Sequence, residues 1–82
     1  MPYSSEFSEK FLDQVKKLDR HRKELIYKRI EKILAMPELG KPLHSPLSDY
    51  KSERLEKYRI IYKIKGEKII FAWLDHRKHV YE

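Results

Sequence analysis

Two neighbouring segments in the second half of the chain have the patterns of β-strands, and they limit the possible folds more than any other feature. From residue 58 to residue 64, Tyr and Ile alternate with a second set of side chains that includes Arg59 and Lys63, which is the period of a strand with two different faces. Residues 68–74 are nearly all apolar, as expected for a strand buried on both sides at the centre of a sheet. A short turn containing Gly66 separates the two segments.

The first half of the chain has the spacing of two amphipathic helices. Ser4 or Ser5 is predicted to cap the first helix. The second helix is predicted from about Arg20 to Ala35, with Asp19 at its start and Pro37 just after its end. The connection is so short that the two helices should form an antiparallel hairpin. The apolar stripe of the first helix consists of Phe7, Phe11, Val15 and Leu18.

The order of these elements predicts an α+β fold. A first edge strand is expected at residues 2–4 and a short strand at residues 50–55, which gives the order β-α-α-β-β-β. We therefore predict an N-terminal helical hairpin packed on one face of a small antiparallel sheet, with residues 1–82 forming a single domain. The other face of the sheet is left free of helices, and we expect a functional site there.

The charge balance and the absence of cysteine narrow the class of protein. The chain has 19 Lys and Arg against 13 Asp and Glu, a net charge of +6, which favours an anionic partner such as RNA, DNA or an acidic protein segment. Without Cys there is no disulfide framework and no thiolate metal site. The apolar runs are far shorter than the ~20 residues that span a bilayer, and the N-terminus lacks the features of a signal peptide. We expect a cytoplasmic protein that does not associate with a membrane.

The common signatures of enzymes are missing from the sequence. There is no Gly-rich phosphate loop, no GxSxG motif and no HExxH motif. The sequence therefore does not indicate a phosphate-loop NTPase, an α/β-hydrolase with a serine nucleophile or a zinc protease. Of the four His residues, His76 and His79 are spaced by three but have no third ligand nearby in the sequence. We predict no metal site.

A cluster of cationic and aromatic residues is the main candidate for a function. Guanidinium groups bind phosphate in a bidentate manner, and Tyr rings stack on unpaired bases. A tight turn would place Arg54 beside Arg59. The two guanidinium groups could then bind the phosphate backbone of single-stranded RNA. In the alternative interpretation these arginines only pair with carboxylates such as Glu53 and Asp75. The cluster comprises Tyr50, Lys51, Arg54, Lys57, Tyr58, Arg59, His76, Arg77, Lys78, His79 and Tyr81.

Two runs within this cluster resemble the RelE/ParE toxin superfamily. Residues 49–62 (DYKSERLEKYRIIY) are similar to its pattern, in which an Arg lies five residues before the Arg of a Tyr-Arg-hydrophobic-hydrophobic-Tyr strand. Residues 76–81 (HRKHVY) resemble its terminal His-Arg-x-x-Val-Tyr. The opening at residues 3–7 and the junction between the helices at Leu18 and Asp19 also fit, so the resemblance covers essentially the whole chain.

The resemblance implies a toxin of the RelE type, which cleaves mRNA in the ribosomal A site without a metal or another cofactor. The ribose 2′-OH attacks the adjacent phosphate, and cations stabilise the charge on the phosphorane. By resemblance, Arg59 and Arg77 serve phosphate binding and acid catalysis, and Tyr81 stacks on the target nucleotide. Further RNA contacts are implied for Arg54, Lys57 and Lys78.

The general base is left open by the sequence. Some RelE-type toxins have two Lys residues spaced by two in the strand before the Arg, whereas this chain has only Lys51, followed by Ser52 and Glu53. Lys51 could act as the base if neighbouring cations lower its pKa. His76 has the more suitable unperturbed pKa, and Glu53 is a third candidate. His76 is favoured over Lys51.

The resemblance also implies partners and leaves an alternative function. A toxin of this kind has a cognate antitoxin, and a helical, acidic antitoxin segment is expected to cover the basic body. Its other partners are expected to be the ribosome and mRNA. The alternatives are a ParE-like toxin that inhibits DNA gyrase without nuclease activity, or an inactive RNA-binding homologue. The presence of Arg59, Arg77 and Tyr81 favours the nuclease.

Overall fold

A helical hairpin covers one face of a five-stranded sheet in the computed structural model, which describes residues 3–76. Three of the strands and the second helix lie where the sequence predicts them, whereas the first strand, predicted at residues 2–4, lies at Ser4–Phe7, and the first helix starts later than predicted. A short 3-10 turn at Pro37–Leu39 follows the second helix. The elements are β1 (Ser4–Phe7), α1 (Glu9–Lys16), α2 (Arg20–Ala35), β2 (Lys41–Pro42), β3 (Tyr50–Leu55), β4 (Tyr58–Lys65) and β5 (Lys68–His76).

The start of α1 differs from its prediction, whereas the start of α2 agrees. The predicted caps Ser4 and Ser5 are wrong, because both residues lie in β1 and pair with β5. Ser8 caps α1 instead, since its extended backbone lets its hydroxyl accept a hydrogen bond from the Phe11 N–H. Asp19 caps α2 as predicted. The hydrogen bond from the Arg22 N–H to the Asp19 carboxylate lowers the pKa of that group.

The sheet is mixed, which refines the predicted antiparallel arrangement. Its strand order is β1-β5-β4-β3-β2. The α+β class is confirmed, and the pairs β2–β3, β3–β4 and β4–β5 are antiparallel as expected. β1 pairs with β5 in parallel, with Ser4 opposite Lys68. A parallel pair needs a long connection, and here it comprises both helices and strands β2, β3 and β4.

The core lies between the helical hairpin and one face of the sheet. Phe11 and Val15 of the predicted first stripe, the buried residues of α2 and the even-numbered residues of β4 face this layer, because side chains alternate along a strand and recur every three to four residues in a helix. Phe7 was wrongly predicted to belong to the helical stripe, since it lies in β1 and is 36% exposed. The face of the sheet that contacts the helices is called the helix face below. The buried cluster comprises Phe11, Val15, Ile26, Ile30, Ile33, Ile60, Tyr62, Ile69, Phe71 and Leu74.

Tyr62 is the largest fully buried side chain of this core. Its hydroxyl donates a hydrogen bond of 2.7 Å to the Pro37 carbonyl and so ties β4 to the turn after α2. Burial, together with the charge of Glu53, raises the pKa of Tyr62 to about 12. Gly40 packs against the same ring: a Cβ at this position would overlap the hydroxyl and lie 2.9 Å from Cζ. Gly40 therefore has to lack a side chain for Tyr62 to reach Pro37.

The free edge of β5 is closed by side chains of the first helix. β1 pairs only with residues 68–71, so the rest of β5 has no neighbouring strand on that side among the described residues. The Gln14 side chain takes the place of a strand, because its Nε2 donates to the Leu74 carbonyl at 2.9 Å and its Oε1 accepts from the Leu74 N–H at 2.8 Å. The Ser8 hydroxyl donates to the Ala72 carbonyl. α1 is thus fixed to the strand that leads into the predicted site.

Candidate nucleic-acid interface

The face of the sheet opposite the helices carries the residues that point to a function. Residues that pair across neighbouring strands share one face, so the register defines this surface in three rows. The rows are Arg54, Arg59 and Asp75; Ser52, Ile61 and Trp73; and Tyr50, Lys63 and Ile70. These nine residues are called the open face below.

Two arginines lie directly opposite each other at one end of the open face. Arg54 pairs with Arg59, as the sequence predicts, because a two-residue turn with Glu56 at a φ of 56° joins β3 to β4. Like charges opposite each other across a strand pair are destabilising. None of the salt bridges among residues 3–76 involves Arg54 or Arg59. Such a pair is well suited to bind a phosphate, which guanidinium groups can hold through two parallel hydrogen bonds.

Next to the arginines lies a patch of aromatic rings and lysines. The ring centroids of Tyr50 and Trp73 are 5.4 Å apart. The Lys63 Nζ lies 5.2 Å from the centre of the Tyr50 ring, and the Lys10 Nζ lies 5.7 Å from that of Trp73. Ile61, between them in the register, is only 2% exposed although no helix covers this face. The rings therefore form a half-buried surface with cations at both ends.

Lys51 and Glu53, two of the predicted general bases, lie on the helix face. Lys51 pairs with Tyr62, and its Nζ is 3.5 Å from the Gly40 carbonyl. Glu53 is only 8% exposed, and its Oε1 lies 3.3 Å from both the Arg29 Nη1 and the Lys32 Nζ. A buried carboxylate held by two cations joins β3 to α2. The contacts of Glu53 are thus those of a structural ion pair.

His76, the favoured base, also lies on the helix face, at the end of β5. It pairs with Tyr58, and the two rings make an edge-to-face contact with centroids 5.3 Å apart. Tyr58 packs in turn against the core. His76 and Glu53, which pairs with Ile60, are each one row away from Arg59, whereas Lys51 is three rows away. Lys57 lies in the β3–β4 turn with its Nζ 6.0 Å from the Tyr58 ring.

The structure thus brings Arg54 and Arg59 together but places the three candidate bases on the other side of the sheet. Arg77, Lys78 and Tyr81 lie outside the described residues, and their roles stay predictions. Trp73 and Lys63 were not predicted from the sequence as members of the site. Trp73 lies in an apolar run without alternation, and the only signal is that it is the single Trp of the chain.

The outer surface of the helical hairpin carries a second feature, an apolar groove. Leu12 is 52% exposed, Tyr27 54% and Phe7 36%, although all three side chains are large and apolar or aromatic. Lys16 and Lys23 lie at the rim. We call this surface the helix groove. It is lined by Phe7, Phe11, Leu12, Val15, Lys16, Lys23, Tyr27, Ile30 and Glu31.

The part of the chain that the structure describes has neither a metal-binding cluster nor a helix that could span a membrane. Residues 3–76 contain no group of three His, Asp or Glu side chains placed to hold a metal ion. Over the same range, neither helix has the length and hydropathy needed to cross a bilayer.

The known proteins to which this chain is similar are toxins of toxin–antitoxin systems. The family model described as the ParE toxin of type II toxin–antitoxin systems, parDE, matches residues 5–81. A curated protein of Methanocaldococcus jannaschii, provisionally named toxin RelE4, is 27% identical over 77 residues, which cover 90% of this chain and 82% of that protein. The toxin–antitoxin complex RelBE2 of Mycobacterium tuberculosis matches with a TM-score of 0.79 at 26% identity, covering 94% of this chain and 100% of that chain. The isolated E. coli RelE toxin matches in fold, with a TM-score of 0.78 at 23% identity over 95% of this chain and 87% of that one.

Proposed function

Because this chain belongs to the ParE toxin family of type II toxin–antitoxin systems, within the RelE/ParE superfamily, we propose that it is an endoribonuclease that cleaves mRNA in the ribosomal A site. The observation that carries the proposal is the pair of arginines, Arg54 and Arg59, on a sheet face without helices. No carboxylate among residues 3–76 forms a salt bridge with either of them. The row also contains Asp75 opposite Arg59, but two guanidinium groups exceed one carboxylate, and a phosphate of the RNA backbone would supply further negative charge.

The proposed reaction uses the RNA's own hydroxyl as the nucleophile. The 2′-OH loses its proton and attacks the adjacent phosphorus, and the bond from phosphorus to the 5′-oxygen breaks as that oxygen takes up a proton. Negative charge builds up on the phosphorane, and preorganised cations that face it are usually the largest catalytic factor. Arg59 is placed to serve in this way, with Arg54 beside it as an RNA contact.

The roles of the other site residues are proposed because their positions in the sequence match those of functional residues in the superfamily. Arg77 is proposed as the second catalytic arginine and Tyr81 as the ring that stacks on the target nucleotide. His76 is the proposed acid–base group because an imidazole titrates near neutral pH, although its pairing with Tyr58 places it on the helix face. Lys51 is the second choice. Lys57 and Lys78 are proposed RNA contacts, and the reaction takes place in the cytoplasm, where the ribosome and mRNA are found.

A translating extract provides the test of this proposal. Addition of the purified protein is expected to produce new mRNA ends within codons in the A site, and the cuts should disappear with Arg77→Ala and when the mRNA is not being translated. Both the position of the ends and their dependence on translation are read by mapping 5′ ends. Intact mRNA in an extract in which the toxin has stopped translation would contradict the proposal.

An alternative is a ParE-like toxin that inhibits DNA gyrase, and the match to the ParE family model favours it. This alternative expects double-strand DNA breaks that depend on gyrase while mRNA remains whole. The two functions are distinguished in one culture by inducing the toxin and measuring DNA breaks and mRNA ends in parallel. A gyrase inhibitor would not need the Arg54–Arg59 pair to bind a phosphate.

The second proposed partner is an antitoxin segment, which we place in the helix groove. The M. tuberculosis RelBE2 structure is a complex of a toxin with its antitoxin. In this chain Leu12 and Tyr27 leave apolar surface exposed between two helices, and Lys16 and Lys23 line the rim. An amphipathic helix with acidic flanks has the matching shape and charge, since such helices bind with one apolar face in a groove.

Leu12→Asp is expected to weaken antitoxin binding by at least about 10-fold, the effect of losing roughly 1.4 kcal/mol. The charge would lie in the groove against the apolar face of the antitoxin, while the fold should survive because Leu12 is 52% exposed. Titration of the purified toxin with its antitoxin measures the effect. Leu39→Asp is the matched control, because Leu39 is 64% exposed and does not line the groove. Equal loss in both variants would show that the groove is not the docking site.

A further inference from the structure

We propose that Tyr50 and Trp73 form a stacking subsite for a nucleobase adjacent to the phosphate bound by Arg54 and Arg59. This inference rests on the proposed function, because it takes single-stranded RNA as the ligand of the open face. It adds a binding subsite made of side chains from β3 and β5 to the stacking role proposed for Tyr81. The ligand chemistry is an unpaired base, with a purine preferred over a pyrimidine.

The geometry places the two rings one nucleotide away from the arginines. Trp73 pairs with Ile61, two residues along β4 from Arg59, which corresponds to about 7 Å at the rise of an antiparallel strand. An extended nucleotide spans a comparable distance. A strand of RNA with one phosphate at Arg59 therefore brings its neighbouring base over the Tyr50–Trp73 pair.

The exposure of the rings fits a surface that receives a base. Tyr50 and Trp73 are both half-buried, so part of each ring faces solvent, and Trp73 lies directly opposite the buried Ile61 in the register. Covering Ile61 is a structural role that an aliphatic side chain could also perform. Aromatic rings are used where bases stack, because every base has a π-face and the contact tolerates different sequences.

The cations above the rings distinguish this patch from simple packing. Lys63 and Lys10 place their ammonium groups over Tyr50 and Trp73. An exposed cation–π contact is weaker than the stacking of a base on an aromatic ring. A base can therefore displace the ammonium groups, and the long lysine side chains then reach the flanking phosphates. The patch exchanges one set of contacts for a stronger one when RNA binds.

Trp73 is the only Trp of the chain, so its fluorescence reports on this subsite alone. The probe is a five-nucleotide RNA with 2′-O-methyl groups, which block attack by the 2′-OH and prevent cleavage. Binding to the full chain is expected to quench the fluorescence with a purine at the subsite, less with a pyrimidine, and not at all with an abasic nucleotide. If a labelled probe shows by anisotropy that it binds while the fluorescence stays constant, the inference is overturned.

Substitution gives a second, independent test. Trp73→Leu keeps an apolar cover over Ile61 but removes the ring, and is expected to weaken RNA binding about 5- to 100-fold, the range measured for the loss of one base–aromatic stack. Trp73→Phe should recover most of the affinity. Tyr27→Leu is the matched control, because Tyr27 is 54% exposed and lies in the helix groove. Thermal unfolding checks the fold, and Tyr50→Leu replaces Trp73→Leu if that variant unfolds.

The outcomes separate this inference from the proposed function. If the wild-type chain fails to cut mRNA in translating extract but shows the quench and the loss with Trp73→Leu, the nuclease proposal fails and the stacking subsite stands. If mRNA is cut and Trp73→Leu, Tyr50→Leu and wild type bind RNA equally well, the subsite is refuted while the nuclease proposal stands.

Discussion

Arg59→Leu is expected to lower the rate of mRNA cleavage by about 10²-fold or more, because removal of a preorganised charge from a transition state costs this much in related chemistry. The side chain is half-buried on the open face and lies opposite Arg54. Leu keeps the apolar part of the side chain over the sheet. The substitution removes the repulsion from Arg54 on one side and the attraction of Asp75 on the other, and because these effects oppose each other the thermal stability should change little.

This combination of lost activity and retained stability is the signature of a functional charge. Cleavage is measured as the initial rate at which new mRNA ends appear in translating extract, alongside a thermal unfolding curve. Arg59→Lys should restore only part of the rate, because an ammonium group keeps the charge but loses the bidentate geometry. Arg20→Leu is the matched control, an exposed arginine at the start of α2. Full activity in Arg59→Leu would remove Arg59 from the mechanism.

Gly40→Ala is expected to destabilise the protein by about 1–3 kcal/mol, the usual cost of overpacking a core. The backbone of Gly40, with a φ of −64° and a ψ of 153°, is open to alanine, so the cost is purely steric. The new Cβ would overlap the Tyr62 hydroxyl, and Tyr62 is fully buried and hydrogen-bonded to Pro37. A fall in Tm of roughly 4–8 °C for each kcal/mol is expected in a domain of this size.

A double-mutant cycle tests the cause of this loss. In the Tyr62→Phe background the atom that the new Cβ would overlap most closely is absent, so Gly40→Ala should cost less than in the wild type. Tyr62→Phe alone should be destabilising, because the Pro37 carbonyl loses its donor. Thermal or urea unfolding of the four proteins gives the coupling energy. Additive effects would show that the clash with the hydroxyl is not the reason for the glycine.

The helices and the three long strands could be predicted because their patterns are local. The stripe of α2 and the alternation along β4 depend only on which side chains face the core. The neighbourhood of Arg54 and Arg59 could be predicted for the same reason, since a two-residue turn fixes the register of β3 and β4. Strand parity also indicates that Lys51, three residues before Arg54, lies on the opposite face. The parallel pairing of β1 could not be predicted, because its partner is more than 60 residues away.

One irregularity explains why the faces of β5 could not be assigned from the sequence. Strict alternation from Phe71 would place Trp73 on the helix face and His76 on the open face, beside Arg59. The structure has a register shift opposite Ile61 and Tyr62, and an extra residue in one strand reverses the orientation of all those that follow. Trp73 therefore lies on the open face and His76 on the helix face. An apolar run without alternation gives no sign of such a shift.

The position of β5 has a consequence for how the toxin is made. β5 comes last among the described strands in the chain, yet it lies between β1 and β4 in the sheet. β1 pairs only with β5, and Gln14 of α1 also has its hydrogen-bond partner there. A nascent chain still tethered to the ribosome before residue 68 therefore has no sheet for its first strand to join, and such long-range pairings form late. Translation products that end before residue 68 should therefore lack the folded sheet and be inactive as toxins.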